Sequence, residues 1–201
     1  MDTLLLLLMV LVIFHSLRVR YQRMHVMILA KHLSAFQIEK HMESLTQGYA
    51  RAIADESETR QIQILETYEQ TERAISSQVQ ALANSFRQEP EQNAAFPATA
   101  FCIPYAERFL PALTRDFRAL LAIHAAGFKT VVDNDNQWSS KDRAFHLSAE
   151  LYLFQHSCHW YCKSRNVANA RLMMRHQVSH QKVLDSVSPA TRTAYLKWLK
   201  G

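Results

Sequence analysis

Between residues 156 and 162 the chain reads His-Ser-Cys-His-Trp-Tyr-Cys, its densest collection of groups able to bind a metal or cycle a thiol. Imidazole nitrogen and thiolate sulfur are the ligands that zinc takes in tetrahedral array. On a helix, His156 and His159 would lie about 60° apart around the axis, and Cys158 and Cys162 about 40° apart. Four ligands that diverge along one helix cannot surround an ion, so two or three at most could serve, with others from a second helix. His176 and His180, four residues apart, and His124 are the candidates for that role. The spacing matches no zinc-finger pattern. The first expectation is therefore structural: both thiols join Leu147, Leu151 and Phe154 on a core-facing stripe while the imidazoles find hydrogen bonds. The alternative is a metal- or redox-dependent helical protein that uses His156, Cys158, His159 and Cys162, with zinc or another transition metal as its cofactor. Under the first expectation no cofactor is needed.

The remaining candidates for chemistry are thinner. Asp133-Asn134-Asp135-Asn136 begins like a calcium loop, but that loop wants Gly at its sixth position and Glu at its twelfth. Trp138 and Ala144 stand there, so a polar turn is expected. His146 opens a segment faintly like a phosphoacceptor helix, without the adjacent acid and without a nucleotide-binding segment elsewhere. His25 and His32 share a helix face and could in principle ligate haem, although Met24 and Met27 beside them fit apolar packing equally well. No Gly-rich phosphate loop, G-x-S-x-G elbow or H-E-x-x-H pair occurs. No catalytic residue is nominated, and a non-enzymatic protein is expected.

The elements that would carry these groups read as helices throughout. Three glycines in 201 residues, and no long run alternating Val, Ile and Thr, argue against a turn-rich β architecture. The first seventeen residues are almost unbroken hydrocarbon, with five consecutive leucines and then Arg18, Arg20 and Arg23. From Thr3 to Leu17 the apolar run covers about 15 residues, roughly 22 Å as a helix. That is short for a hydrocarbon core of about 30 Å, although snorkelling arginines could extend it. Asp2 in the leading region and the lack of an Ala-x-Ala site speak against a cleaved signal peptide. The arginines follow the apolar run, so the positive-inside rule puts the body on the cytoplasmic side of a single-pass anchor. Cys102, Cys158 and Cys162, an odd number at no framework spacing, agree with reduced thiols.

The expected fold is all-α: an N-terminal transmembrane helix that continues into a long helical hairpin, plus a C-terminal helical bundle. Residues 1–17 form the anchor. Residues 18–88 form a juxtamembrane helix to about Gln47, a break at Gly48 and a long polar helix over about 50–87. Residues 89–104, with three prolines, form a connector or hinge, and residues 105–201 form the bundle. Within the bundle, helices are expected over about 105–126, with Gly127 at the C-terminal cap, over about 140–163 with Ser139 and Asp142 as a capping box, over about 165–185, and from Ser188-Pro189 to Leu199. The 140–163 helix is apolar almost all round, with Glu150 its one charge between Ala144 and Cys162, so it belongs at the centre.

Residues 50–91 carry a net charge of −4 and residues 163–201 a net +7, so the overall +5 is local to the tail and the collar of arginines. Arg18, Arg20, Arg23, Arg165, Arg171 and Arg175 are the candidates for an anionic surface. The acidic segment of the chain itself ranks first as their partner, lipid second and nucleic acid last. Met24, Met27 and Ile28, and the heptad-like seam Ile75, Val79, Leu82 and Phe86, are the candidate faces for a protein partner or for self-association. These features suit a membrane-anchored adaptor or a structural subunit of a membrane-associated assembly.

Overall fold

The structure, a computed structural model, describes residues 2–201; Met1, the first residue of the expected anchor, lies outside the described residues. Among the described residues the chain is almost wholly helical. It forms α1 (Asp2–Leu33), α2 (Ile38–Ala54), α3 (Glu58–Glu66), α4 (Glu69–Phe86), α5 (Glu91–Ala94), α6 (Ala106–Phe109), α7 (Phe117–Asp133), α8 (Ser140–Cys162), α9 (Arg165–His176), α10 (His180–Ser186) and α11 (Pro189–Lys200). A two-stranded antiparallel ribbon, β1 (Ala95–Pro97) and β2 (Thr114–Asp116), pairs Phe96 with Arg115. The N-termini of α3, α7, α8, α9, α10 and α11 are each closed by a side chain, in turn Ser57, Asp116, Ser139, Ser164, Ser179 and Ser188. Such caps satisfy amide donors that the first turn leaves unpaired.

Helix α8, 23 residues and about 35 Å long, is the axis of the body. It packs against α1, α2, α3, α7, α9 and α10. This matches the expectation from its apolar circumference: Leu147, Leu151, Leu153, Phe154, Trp160 and Tyr161 are all buried. Its Cys162 end meets α1, because the Lys163 carbonyl accepts from Gln22 Nε2 at 3.2 Å. Its Ser140 end meets α3, where Lys141 pairs with Glu58 at 2.9 Å. The body therefore has an end that α1 enters and a far end.

Helix α1 has two halves in different surroundings. Leu4 to Phe14 are all exposed, and this is the one helix among those described that is long and apolar enough to cross a membrane. From Tyr21 onward the same helix enters the body, burying Tyr21, Gln22, His25, Leu29 and His32. It ends at Leu33, not near Gln47. Neither Gly nor Pro marks the corner. Instead Ser34 Oγ donates to the Lys31 carbonyl at 2.9 Å and the Gln37 amide donates to Gln78 Oε1 at 2.8 Å, so tertiary contacts make the turn.

Gly48 lies inside α2 and does not break it. A Cβ there would collide with the Tyr68 ring, which explains the glycine as a point of close approach. The break expected at Gly48 falls at 55–57, and the long polar helix is divided again at Thr67-Tyr68 into α3 and α4. Gly127 is likewise interior to α7, facing Thr191 Oγ1 and Glu150 Oε2; the helix ends at Asn134, which takes the left-handed conformation (φ 56°). The expected helix over about 105–126 is in fact α6, a 3-10 turn at Pro111–Leu113, β2 and then α7. The expected 165–185 helix is cut at Gln177 (φ 53°) into α9 and α10.

The 89–104 stretch packs into the body. Phe96 is fully buried among Phe117, Trp160, Tyr161 and Trp198, with ring centroids 5.5 to 6.1 Å away. Trp160 Nε1 donates to the Pro97 carbonyl at 3.1 Å, Tyr161 OH donates to the Asn93 carbonyl at 2.7 Å, and Trp198 Nε1 donates to the Asp116 carbonyl at 3.0 Å. One buried cluster runs from Leu29 and Leu45 through α4, α7 and α8 to Tyr195, so the 18–88 and 105–201 portions share a core.

The seam expected to meet a partner is part of that core. Ile75, Val79, Leu82 and Phe86 are each 0% exposed and face α2 and α7. Their spacing marks an apolar helix face, and the chain's own helices cover it. Truncation should show this. We expect Leu82→Ala to lower the unfolding free energy by about 2–5 kcal/mol, measured by denaturant titration, whereas a surface seam would leave stability almost unchanged.

Candidate functional site

An apolar concavity lies toward the far end of the body. An apolar cleft of about 430 Å³ opens between α2, α3, α8 and α10. Tyr49, Ala52, Leu65, Ala144, Ala149 and Val183 form its floor, and Ile53, Phe145, Lys141 and Lys182 stand around its mouth. Its polar neighbours are committed elsewhere: Ser148 Oγ donates to the Ala144 carbonyl at 2.8 Å, Ser186 Oγ donates to the Lys182 carbonyl at 2.8 Å, and Tyr49 OH donates to Glu72 Oε1 at 2.6 Å. Glu72 is itself buried, and Arg143 Nη2 lies 3.3 Å from its second oxygen. The acid that interrupts the apolar face of α4 thus carries a structural network behind the cleft. Ile53 is 80% exposed and Phe145 58%, which leaves two large apolar side chains in solvent beside the opening. Neither stood out in the sequence, because the cleft gathers elements more than a hundred residues apart.

The residues from the His/Cys run do not assemble into a chelate. His156 is buried toward α9, with Nε2–H donating to Asn169 Oδ1 at 2.8 Å, and its ring lies 4.3 Å from that of His180. His159 accepts at Nδ1 from Arg171 Nη1 at 2.9 Å. Burial pushes the Cys158 thiol well above its usual range and the Cys162 thiol up to about 12, so neither is poised as a thiolate. Among the described residues no three of His, Cys, Asp and Glu are grouped to hold an ion. His176 is also engaged, 2.8 Å from Gln155 Oε1 and stacked on Tyr152. The physical reason is the divergence of side chains along α8: the two imidazoles find different partners, and both thiols pack against the core.

His25 and His32 are structural too. His25 is held by the Tyr21 carbonyl at 3.1 Å beneath the Tyr161 ring, and His32 sits between Ser85 Oγ at 2.7 Å and Glu89 Oε1 at 2.9 Å. His146 stacks on Trp138 and bonds the Ser186 carbonyl at 2.9 Å. Asp133, paired with Lys129, ends α7, and Asn134 to Asn136 form the turn after it.

Of the candidate partner face on α1, Met27 is exposed, whereas Met24 and Ile28 are half-buried and Ile28 packs on the core. The inward face is the one carrying Tyr21, His25, Leu29 and His32. Among the basic residues, Arg18 is half-buried and Arg20 and Arg23 are exposed beside the apolar run. Arg165 lies over the Trp160 ring at 5.3 Å. Helix α9 then runs away from the end that α1 enters, which carries Arg171 and Arg175 about 9 and 15 Å further along the body. The six arginines do not form one patch.

Inside the bundle, polar groups sit without solvent access. The Ser157 hydroxyl donates to the Leu153 carbonyl at 2.9 Å, so the neutral His124 ring donates to Ser157 through Nε2 at 2.9 Å. His124 Nδ1, His156 Nδ1 and Glu150 Oε2 are buried without partners. Burial holds His124 near 3; burial and the neighbouring His180 hold His156 near 3; burial and Arg165 hold His180 near 4. Burial raises the Glu150 carboxyl to about 7, although Thr191 and the Ser188 amide favour its charged form. His124, His156, Ser157 and Glu150 are buried, and His180 is half-buried.

No protein-family model matches the chain, and no curated protein or solved structure matches it.

The interior acid and the histidines act on stability with opposite signs. A carboxyl raised on folding holds its proton longer in the folded state, so its contribution is full below the usual glutamate range and is lost as pH rises through about 7. The depressed histidines contribute above their usual range, and that contribution is lost as pH falls below about 6.5. Glu150→Gln is therefore expected to raise the melting temperature relative to the parent more at pH 8 than at pH 5. Calorimetry at the two pH values reads it, and a difference independent of pH would contradict the assignment.

Proposed function

We propose that the protein is a membrane-anchored helical adaptor or structural subunit of a membrane-associated assembly, acting without catalysis, with its body on the cytoplasmic side. The observation that carries this reading is the polarity of the body along α8. At one end α1 leaves the body with its apolar residues Leu4 to Phe14 uncovered. Toward the other, with Phe145 about 25 Å along α8 from Cys162, an apolar cleft is flanked by two uncovered large apolar side chains, Ile53 and Phe145. A chain held in lipid at one end and presenting an apolar receptor at the other is built to connect. The arginines at 18, 20 and 23 follow the apolar run, which supports the cytoplasmic orientation.

A protein segment fits the cleft better than a small molecule. The volume alone would suit either. Ile53 and Phe145, however, stand at the mouth, where a small ligand seated on the floor would leave them wet and a docking helix or loop would cover them. His124, His156 and Glu150 are buried in the interior, and in the cleft Tyr49 is committed to Glu72 and Lys141 to Glu58, which supports a non-catalytic role.

The test is a photoreactive residue at position 53 in the full chain, irradiated in native membranes. We expect one discrete heavier adduct with another protein, lost when Phe145→Asp is added. A ladder of lipid adducts, or only the uncrosslinked chain, would overturn the partner reading; an adduct at twice the mass of the chain would mean self-association through the cleft.

A further inference from the structure

The anchor end carries a second set of uncovered apolar side chains. Phe101, Phe109, Leu110 and Leu113 are 69%, 79%, 45% and 42% exposed, all within the segment that joins the ribbon strands β1 and β2. The segment is fixed to α1 just below the apolar run. Tyr21 OH donates to Glu107 Oε2 at 3.1 Å, the Tyr21 and Tyr105 rings meet edge to face at 5.2 Å, and Arg18 and Gln22 lie beside the buried Cys102 thiol. Its other side is tied to the start of α9 by the Asn166 amide, which donates to the Ala100 carbonyl at 3.1 Å.

We propose that residues 99–113 form a membrane-resting foot: a second contact with the bilayer, its apolar tips seated at the headgroup–acyl boundary beside α1. The proposal rests on the reading that the apolar half of α1 lies in lipid.

Three observations select lipid as the occupant. The first is height. Tyr21 follows Leu17 by about one helical turn, roughly 6 Å, so a loop fastened to Tyr21 sits next to the end of the apolar run. The second is the shortfall of that run. About 22 Å of apolar helix in a hydrocarbon core of about 30 Å draws the membrane surface down to the level of Arg18 to Tyr21, where the loop is. The third is chemistry. Arg18 and Lys163 lie near the Cys102 thiol, Arg108 stands over the Tyr105 ring, Arg165 opens α9, and Glu107 is already engaged by Tyr21. Large apolar tips set in a basic collar are the composition of an interfacial anchor on anionic lipid. A foot would also fix the tilt of the body, since two attachments constrain what one helix leaves free.

The foot is tested in the full chain, reconstituted into phosphatidylcholine–phosphatidylglycerol vesicles whose lipids carry bromine near the top of the acyl chains. Three variants are compared with the parent, whose own tryptophans supply a constant background: Phe109→Trp, Leu113→Trp and, at the far end, Phe145→Trp. Seated about 5–10 Å into the interface, the added indoles of F109W and L113W are quenched about twofold, while that of F145W is unchanged. If all three resist quenching although the protein floats with the vesicles, the foot is wrong and the anchor reading stands. If the protein does not float with vesicles at all, the anchor reading fails and the foot with it. If F109W and L113W resist quenching but shift to the blue with protein concentration in detergent, the surface joins copies of this chain and the proposal is overturned.

Discussion

One uninterrupted helix couples the two environments of this protein. From Asp2 to Leu33 α1 contains neither Gly nor Pro, and its hydrogen-bonded turns run from a half that nothing in the body covers into a half buried in the core. Bare apolar surface from Leu4 to Phe14 costs free energy in water in proportion to its area, whereas the Tyr21, His25, Leu29 and His32 face is held by Tyr161, Phe86, Ser85 and Glu89. Whatever solvates the first half is therefore mechanically joined to the second. The remainder of the fold serves to grip that inner half and to extend it to the far end.

The grip is aromatic and partly polar. Phe86, Phe96, Phe117 and Tyr161 meet with ring centroids between 4.1 and 5.8 Å, and Trp160 and Trp198 close the group. Indole and phenol hydrogens are spent on backbone carbonyls of Asn93, Pro97 and Asp116, which keeps a Pro-containing stretch from becoming a loose link. Near α1, Glu89 is drawn down to about 2 by Asn93 and His32, so the turn after α4 is tied to the same helix. Further along, the unpartnered buried atoms of Glu150, His124 and His156 are a cost that the surrounding packing offsets.

The helical class, the central place of α8, the Ser139 cap and the Ser188-Pro189 start of α11 were all legible, because apolar periodicity and cap chemistry are local properties. So was the apolar leader. Helix ends set by distant partners were not. The corner after Leu33 depends on Gln78, the division at Thr67-Tyr68 places the Tyr68 ring on Gly48, and Gly127 is small because Thr191 and Glu150 approach it from other helices. The seam at Ile75, Val79, Leu82 and Phe86 was visible as an apolar face, but spacing cannot say whether the chain or a partner covers it. The same limit hid the cleft and the 101–113 tips, which become surfaces only when remote segments meet. The His/Cys run looked concentrated because sequence compresses what a helix spreads.

The body thus has an uncovered apolar helix at one end and an apolar cleft toward the other, with His124, His156 and Glu150 buried between them. That arrangement supports a role in holding something near a membrane more than one in transforming it. Its central claim, that the apolar half of α1 resides in a bilayer while joined to the core, is tested most directly by alkaline carbonate extraction of membranes from cells making the full chain. The account predicts that the protein stays in the membrane pellet and leaves it only with detergent. Release into the supernatant with the peripheral proteins would contradict it.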